Sequence, residues 1–337
     1  MKVLLYFEAE KLIQMSGIGR AMSHQKKALE SVGIEYTTDM MDTYDILHIN
    51  TVGMTSLPLI IKTHMDNKPV IYHAHSTEED FKNSIILSNQ IAPFFKIHIV
   101  GLYSKADLLI TPTPYSKMLL DNYGMNKPII AISNGIDLPR FKKDDEKIKA
   151  FMRYFSLKPS DKVVMGVGFF FERKGIIDFI ETARRMPDVK FIWFGKTPNI
   201  YLTLKIREAI SDTPSNMIMP GYVKGPIIEG AYRKADAFFF PSFEETEGIV
   251  VLEALASECP ILVRDIGAFD PWLVDEENCL KAKDVDGFCR QLRRIINKQV
   301  HTTKKGYKTA QERSIEEIGK QLKAAYDRVL KIQASKE

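Results

Sequence analysis

The chain has 337 residues, a length that suggests two domains of ordinary size. Hydrophobic residues make up 45% and charged residues 27%, which are the proportions of a soluble globular protein. The formal net charge is only +4, which is too small to indicate a nucleic-acid-binding protein.

The first element combines a strand with a glycine loop. Residues 1–8 are too short and meet an acid too early for a signal peptide, so we expect none. Val3 to Phe7 predicts a buried strand, and the segment Ser16-Gly17-Ile18-Gly19-Arg20 leads into a helical pattern. Free N–H groups at such a helix start can hold an anion, although a plain tight turn also explains the glycines. The third glycine of a dinucleotide fingerprint is missing, which disfavours a dehydrogenase.

Two histidines follow a later strand. Asp45 to Ile49 and Pro69 to Tyr72 predict two strands, and the second leads into His73-Ala74-His75 and then three acids. Histidines beside acids can indicate a metal site. We expect the two rings to point to opposite faces of the extended segment, and no cysteine or third histidine is near in sequence. The sequence therefore predicts no metal, with His73 as a core residue.

The segment from Phe81 to Tyr103 is unusually apolar for a surface helix and contains Pro93. Core packing explains part of this pattern. An apolar lip that enters a bilayer surface or holds a lipid acceptor is the other interpretation. No run approaches the roughly 20 apolar residues of a spanning helix, so we expect any membrane contact at the surface.

The boundary between the two domains is predicted near the middle of the chain. Asp107 to Thr111 and Ile129 to Ile132 predict strands, and a turn signal, Ser133-Asn134-Gly135-Ile136-Asp137, follows the second. The charged segment 141–149 lacks apolar periodicity, so we interpret it as a linker. The predicted domains are residues 1–140 and 150–314.

A second strand–loop–helix unit opens the second half. Val163 to Gly168 predicts its strand, and Arg173-Lys174-Gly175 closes its loop. The two cations either bind an anionic ligand or are simply solvated. Val189 to Phe194 and Met217 to Met219 predict the next strands, and Pro220-Gly221-Tyr222 follows the latter.

A carboxylate-rich turn follows the strand predicted at Ala237 to Phe240. It reads Pro241-Ser242-Phe243-Glu244-Glu245-Thr246-Glu247-Gly248 and leads into an apolar helical run from Ile249 to Ala256. The acids at the helix start suit its dipole. Glu253 is crowded by apolar neighbours and needs a polar partner, such as sugar hydroxyls. Glu245 in the loop and Glu253 in the helix can reach one small ligand.

The C-terminal region is basic between residues 281 and 308, which indicates either a solvated face or contact with anionic lipid. Pro260 to Val263 predicts a strand, and Ile315 to Leu330 predicts an amphipathic helix. The cysteines have no metal-ligand spacing, so we interpret them as reduced thiols of a cytosolic protein. They are Cys259, Cys279 and Cys289.

The motif P-S-x-x-E-x-x-G-I-V-x-x-E-A, from Pro241 to Ala254, resembles the signature of the retaining glycosyltransferases of family 4. This resemblance implies the GT-B fold, an α/β architecture of two facing, Rossmann-like, doubly wound domains. It also implies that the last helix, residues 315–332, crosses back to the first domain. The acceptor would bind mainly to the first domain and the nucleotide sugar to the second.

The resemblance also implies a set of site residues. His75 and Glu245 would lie at the sugar that is transferred, as the catalytic residues. The residues implied to bind the nucleotide sugar are Gly17, Gly19, Arg173, Lys174, Tyr222, Gly248, Ile249 and Glu253. The sequence departs from the family twice: Glu247 stands where an aromatic residue is usual, and Phe169 stands where an arginine helps to bind the diphosphate. We expect Arg173 to supply that charge.

The chain most resembles small bacterial glycolipid synthases that add a second hexose to monoglucosyldiacylglycerol. Residues 1–6, 75–81 and 170–175 carry this closer likeness. It implies retaining transfer of glucose or galactose from a UDP-sugar, without a metal or other cofactor, at the anionic inner face of the cell membrane. Two alternatives stay open: another nucleotide-sugar enzyme of this fold, such as an epimerase or a transferase for capsule or teichoic acid sugars, and a non-catalytic GT-B subunit.

Overall fold

The computed structural model describes residues 1–8, 17–270 and 272–334. In this part of the chain, two six-stranded sheets of parallel strands are flanked by helices. Five of these twelve strands are buried along their whole length, as parallel strands covered on both faces must be. The predicted α/β class and GT-B architecture are confirmed.

The first domain is built on a sheet with strand order β2-β1-β3-β4-β5-β6. Its strands are β1 (Lys2–Tyr6), β2 (Glu35–Thr37), β3 (Ile46–Ile49), β4 (Val70–His73), β5 (Leu108–Thr111) and β6 (Ile129–Ala131). Its helices are α1 (Gly17–Ser31), α2 (Ser56–Met65), α3 (Glu78–Phe81), α4 (Ser88–Tyr103) and α5 (Pro114–Asn122). Most of the apolar segment from Phe81 to Tyr103 therefore forms one helix, α4, which contains Pro93 in its interior.

The second domain has the strand order β12-β11-β10-β7-β8-β9, which reverses between β7 and β10. Its strands are β7 (Val163–Val167), β8 (Lys190–Phe194), β9 (Met217–Gly221), β10 (Ala237–Phe240), β11 (Ile261–Arg264) and β12 (Leu280–Ala282). Its helices are α6 (Asp145–Tyr154), α7 (Ile176–Arg185), α8 (Leu204–Ser211), α9 (Pro226–Lys234), α10 (Ile249–Ala256), α11 (Val285–Ile296) and α12 (Thr303–Gln311). Ligands of doubly wound folds bind at such a reversal, outside the carboxyl ends of the strands.

The segment predicted as a linker, residues 141–149, contains regular structure that packs on the second domain. Phe141 is buried, and α6 begins within the segment. Phe151 of α6 belongs to the core of the second domain. A side chain at Gly230 of α9 would clash with the backbone of α6, which shows how closely the two helices pack. The helix buries only a narrow stripe, so its charged first turn shows no apolar period.

The last helix, α13 (Ile315–Ala334), crosses back to the first domain, as predicted. The crossing begins at an isolated parallel bridge, where the N–H of Ile136 donates to the Arg313 carbonyl at 2.9 Å. The buried face of α13, including Leu322 and Tyr326, belongs to the core of the first domain. None of the helices in the described residues combines the length and apolarity that crossing a bilayer requires.

Candidate active site

The candidate site lies where the strand order of the second sheet reverses. The loop after β7 carries Lys174, and the loop after β10 carries Glu245. Gly175 stands at the start of α7 with a φ of +71°, and a side chain there would clash with the Pro241 carbonyl. Glycine is therefore needed for the two loops to lie against each other.

Lys174 and Glu245 form a mostly buried ion pair. The ammonium Nζ donates to Glu245 Oε1 at 2.5 Å, and Ser242 Oγ donates to the same oxygen at 2.7 Å. The two charged side chains are 13% and 6% exposed. Burial lowers the pKa of Lys174. The structure thus brings together a predicted donor-binding residue and a predicted catalytic residue.

Glu253 lies in α10 with both carboxylate oxygens partnered. The Tyr232 hydroxyl donates to Oε2 at 2.8 Å, and the Arg20 guanidinium donates to Oε1. The expectation that this carboxylate needs a polar partner is therefore met within the protein. Arg20 comes from the first domain, and no local sequence signal pairs it with a residue 233 positions away.

The first turn of α1 reaches the second domain through Arg20. Gly17 and Gly19 belong to the same turn, with Gly17 exposed and Gly19 buried. Glu253 raises the pKa of Arg20 above its ordinary value, and the Tyr222 hydroxyl lies near enough to contribute. Tyr222 is about half exposed, after the end of β9. Arg20 thus connects the turn of the two predicted glycines to Glu253, with Tyr222 near its guanidinium.

Gly248 and Ile249 form the start of α10. Gly248 has a φ of +85°, which suits glycine, and α10 runs from the next residue. The N–H groups of the first turn of a helix lack intrahelical partners and favour anions.

Arg173 points to the first domain. Its Nη1 lies 2.8 Å from Asp80 Oδ1, and its Nε donates to Ser84 Oγ at 2.7 Å. Phe169, at the position where the family has an arginine, lies against Phe171 with a ring-centroid distance of 5.2 Å. Much of the Arg173 charge is therefore neutralised by Asp80.

His75 lies at the carboxyl end of β4, with its ring buried. Its Nε2 donates to Asn50 Oδ1 at 3.1 Å. The His73 ring stacks on the His75 ring at 4.0 Å between centroids, so the expectation of opposite faces was wrong. Residues i and i+2 of an extended chain share one face. Burial lowers the pKa of His75 to about 3, so the imidazole is neutral at ordinary pH.

The described residues contain no group of three or more His, Cys, Asp or Glu side chains arranged to hold a metal ion. His48 extends the histidine stack instead, at 5.5 Å from His73, and its Nδ1 contacts the Tyr326 hydroxyl at 2.8 Å. His73 is buried in the core, as predicted.

Glu244 was interpreted only as a helix-dipole residue. Its Oε2 accepts a hydrogen bond from the Tyr115 hydroxyl at 3.1 Å, whereas its buried Oε1 has no hydrogen-bond partner among the described residues. Burial, reinforced by the charges of Asp80 and Glu245, raises the pKa of Glu244 to about 7.

Glu247, the residue that replaces the family's aromatic, joins the two domains. Its carboxylate is buried and accepts hydrogen bonds from the backbone N–H and the side-chain Nδ2 of Asn134, at 3.0 and 2.8 Å. Burial raises the pKa of Glu247. A polar contact between the turn at Asn134 and the loop of Glu245 thus takes the place of aromatic packing.

Two family models match the chain. The model described as "Glycosyltransferase Family 4" matches residues 32–140, and "Glycosyl transferases group 1" matches residues 161–298. A processive diacylglycerol alpha-glucosyltransferase from Acholeplasma laidlawii is 50% identical over 334 residues, covering 98% of this chain and 99% of the relative. The chain belongs to glycosyltransferase family 4. It is a glycosyltransferase.

Another relative of this glycosyltransferase is named for a glycolipid product. The alpha-galactosylglucosyldiacylglycerol synthase of Streptococcus pneumoniae is 25% identical over 234 residues, covering 67% of the chain and 61% of that protein. Among solved structures, HepE of Anabaena in complex with UDP and glucose has a TM-score of 0.78 and 17% identity, over 97% of the chain and 100% of HepE. This last likeness supports the GT-B fold of the glycosyltransferase.

Proposed function

We propose that this glycosyltransferase transfers glucose from UDP-glucose, with retention at the anomeric carbon, to diacylglycerol-based acceptors that include monoglucosyldiacylglycerol. The product of the second transfer is a diglucosyldiacylglycerol. The observation that carries the proposal is the Lys174–Glu245 pair at the strand reversal, beside the buried Glu253, in a chain half identical to a diacylglycerol glucosyltransferase.

In this proposal, the second domain holds most of the UDP-glucose. Glu253 binds the ribose hydroxyls, and Tyr222 lies by the base. Lys174 and the first turn of α10, at Gly248 and Ile249, stabilise the diphosphate as it departs. The remaining contacts come from the other predicted donor-binding residues, namely Gly17, Gly19 and Arg173.

The transfer itself uses groups near the sugar. Glu245 and the neutral His75 position the glucose by accepting hydrogen bonds from, or donating them to, its hydroxyls. The bond between the anomeric carbon and the diphosphate oxygen breaks while the acceptor oxygen bonds to that carbon from the same face. The acceptor's hydroxyl proton passes to the departing diphosphate, so the protein needs no nucleophile.

We call the region between the two domains at Arg20, Lys174 and Glu245 the cleft. An exposed apolar surface begins close to Ser84, which contacts Arg173, and suits a lipid acceptor. On α4, the side chains of Ile91, Phe94 and Ile97 are exposed, and Phe94 is 73% exposed. The loop before α4 touches the second domain, since the N–H of Ile86 donates to the Tyr201 carbonyl at 3.2 Å. We name the exposed apolar side chains of this region the apolar ridge: Ile86, Leu87, Ile91, Phe94, Ile97, Ile200, Tyr201 and Leu204. In the proposal, it contacts the acyl region of an anionic membrane surface.

The proposal includes metal-independent turnover. Fixed cations and a helix start stabilise the leaving diphosphate, a task that a bound metal performs in other transferases. Activity should therefore persist at full rate in excess chelator. Loss of activity in chelator, restored by Mg²⁺ or Mn²⁺, contradicts this part of the proposal.

The main test compares sugar donors and acceptors directly. Purified protein is incubated with labelled UDP-glucose or UDP-galactose and vesicles containing diacylglycerol or monoglucosyldiacylglycerol. The lipid products are separated, and the sugar and the glycosidic linkage of each product are identified. Alpha-glucosylated lipids from UDP-glucose are expected. Equal transfer to water-soluble sugars rejects the lipid acceptor, and no transfer from either UDP-sugar rejects the proposed donor.

A further inference from the structure

Both cations of the loop after β7 already have partners within the protein. A nucleoside diphosphate brings two adjacent phosphates, and Phe169 stands where the family has an arginine for them. Arg173 makes three contacts within the protein, with Asp80, Ser84 and the Glu244 carbonyl. Lys174 is paired with Glu245.

Arg20 is a further cation at the right place. It stands in the first turn of α1, next to Gly19, and its guanidinium reaches across the cleft to Glu253. The Arg20 side chain is 29% exposed, whereas that of Glu253 is 3% exposed. The guanidinium is therefore partly open to solvent, and it has five N–H donors, of which the bond to Glu253 Oε1 uses one.

We propose that Arg20 binds the diphosphate of the nucleotide sugar and supplies the charge that Phe169 does not. In the empty cleft, Arg20 pairs with Glu253. When ribose hydroxyls take up Glu253, the guanidinium turns to the adjacent phosphate, for which its planar fork is well suited. This inference rests on the proposed function, because it assumes that the ligand is a nucleoside diphosphate.

Exchanging one charged contact for another explains why Arg20 is needed at this position. Ribose hydroxyls are neutral and do not replace the positive charge of Arg20 opposite Glu253. A guanidinium that stays close by therefore still stabilises the buried carboxylate of Glu253. A phosphate between Arg20 and the start of α10 then gives the guanidinium an anionic partner, while Glu253 keeps the Tyr232 hydroxyl and gains the ribose hydroxyls. The first domain would then contribute to binding through one side chain, in addition to the backbone at Gly17 and Gly19.

The experiment separates phosphate binding from a purely structural role. Binding of UDP and of uridine, which has the ribose and base but no phosphate, is measured by titration calorimetry for wild type, Arg20→Gln and Arg20→Lys. Lys27→Gln is the matched control, because Lys27 is on the same helix and pairs with Asp137 instead of α10. Thermal unfolding of each variant verifies that it is folded.

Arg20→Gln should weaken UDP binding about 10- to 100-fold, the range for a hydrogen bond to a charged group, and leave uridine binding unchanged or tighter. Arg20→Lys should restore part of the UDP affinity, and Lys27→Gln should behave as wild type. Equal loss of UDP and uridine binding, unchanged UDP binding, or unfolding of both Arg20 variants overturns the inference. Failure of the wild-type protein to bind UDP at all would instead reject the proposed function.

Discussion

At the residue scale, the charged groups of the cleft have their partners inside the protein. Removing one partner therefore leaves the other charge buried and unpaired. Lys174 and Glu245 are both mostly buried, and Glu253 is held by groups from two domains. Truncating one partner of a buried, hydrogen-bonded charge pair typically costs roughly 2–5 kcal/mol.

The first prediction concerns UDP binding. Lys174→Ala and Glu253→Ala should each weaken UDP binding by about 2–5 kcal/mol, because each removes a charged group proposed to contact the nucleotide. Titration calorimetry measures the change. Lys162→Ala is the control, since Lys162 precedes the amino end of β7, opposite the carboxyl ends of the strands, and pairs with Asp236 at 3.4 Å. Wild-type affinity in both cleft variants would contradict the assignment.

The second prediction is a pH dependence of stability that is due to Glu244. Its pKa of about 7 lies above the ordinary value of 4.5, so the folded protein binds this proton more tightly than the unfolded chain does. The resulting stability is fully present below about pH 4.5 and is lost as pH rises through about 7. Glu244→Gln should therefore reduce the fall in free energy of unfolding over this interval, by about 1–2 kcal/mol after allowance for partial exposure.

Urea denaturation near pH 5 and pH 7.5 provides the measurement for Glu244. Glu258→Gln is the control, because Glu258 is an exposed glutamate of the same domain. Other buried acids, such as Glu247, change stability in the same direction, so the difference between variant and wild type isolates Glu244. Parallel pH curves for wild type and Glu244→Gln count against the raised pKa.

Sequence alone identifies some site residues and not others. Glu245 and Glu253 are found because they share one motif on one strand–turn–helix unit, and Lys174 because it closes a loop before a helix. Arg20 and Tyr115 are missed because their partners lie 233 and 129 positions away. Such contacts follow from how the two domains face each other.

At the scale of elements, the strands with continuous apolar runs were predicted within one or two residues. The strands β2 (Glu35–Thr37) and β12 (Leu280–Ala282) were not predicted. Both lie at sheet edges and have three residues each, with at most one of them fully buried. Three half-exposed residues carry too little apolar periodicity to distinguish a strand from a loop.

The third prediction concerns the packing of α13 on α1. A side chain at Gly319 would clash with the Ala28 carbonyl and lie 2.6 Å from Ser31 Oγ. Gly319→Ala should therefore lower the free energy of unfolding by about 1–3 kcal/mol, as overpacking does. Gly101→Ala in α4 is the control, because open space surrounds that position. Alanine favours helix there, so the control should be neutral or slightly stabilised. Equal stability of the two variants in urea denaturation would reject close packing at Gly319.

At the scale of the whole molecule, several polar contacts join the two domains. Arg173 pairs with Asp80, Glu247 with Asn134, and the Thr113 hydroxyl donates to the Thr246 carbonyl at 2.8 Å. These contacts place residues of the first domain around a site built mostly by the second. The apolar ridge crosses the same boundary, which links the cleft to the surface on which a lipid acceptor would lie.

The basic C-terminal region contributes less free charge than its composition suggests. Arg293 pairs with Asp188 at 2.5 Å, and Arg294 pairs with Glu276 at 2.5 Å. Lys305 likewise lies 3.2 Å from a carboxylate oxygen of Glu277. Binding to anionic vesicles should still weaken as salt rises, because surface attraction is screened within roughly 10 Å at 0.1 M salt. A component that survives high salt must come from apolar contact.

The last prediction therefore separates the two forces. The affinity of the double variant Phe94→Ser, Ile97→Ser for anionic vesicles at high salt should be at least about tenfold lower than that of the wild type in flotation assays. The reason is that burying each such side chain in the membrane stabilises the bound state by about 1.5–3 kcal/mol. Met118→Ser, which removes another exposed apolar side chain of the first domain, is the control and should float like wild type. UDP binding should be the same as in the wild type for both variants, because the replaced side chains lie outside the cleft. If the double variant floats like wild type at high salt, the apolar ridge is not the membrane contact, and the lipid must approach the cleft from another surface.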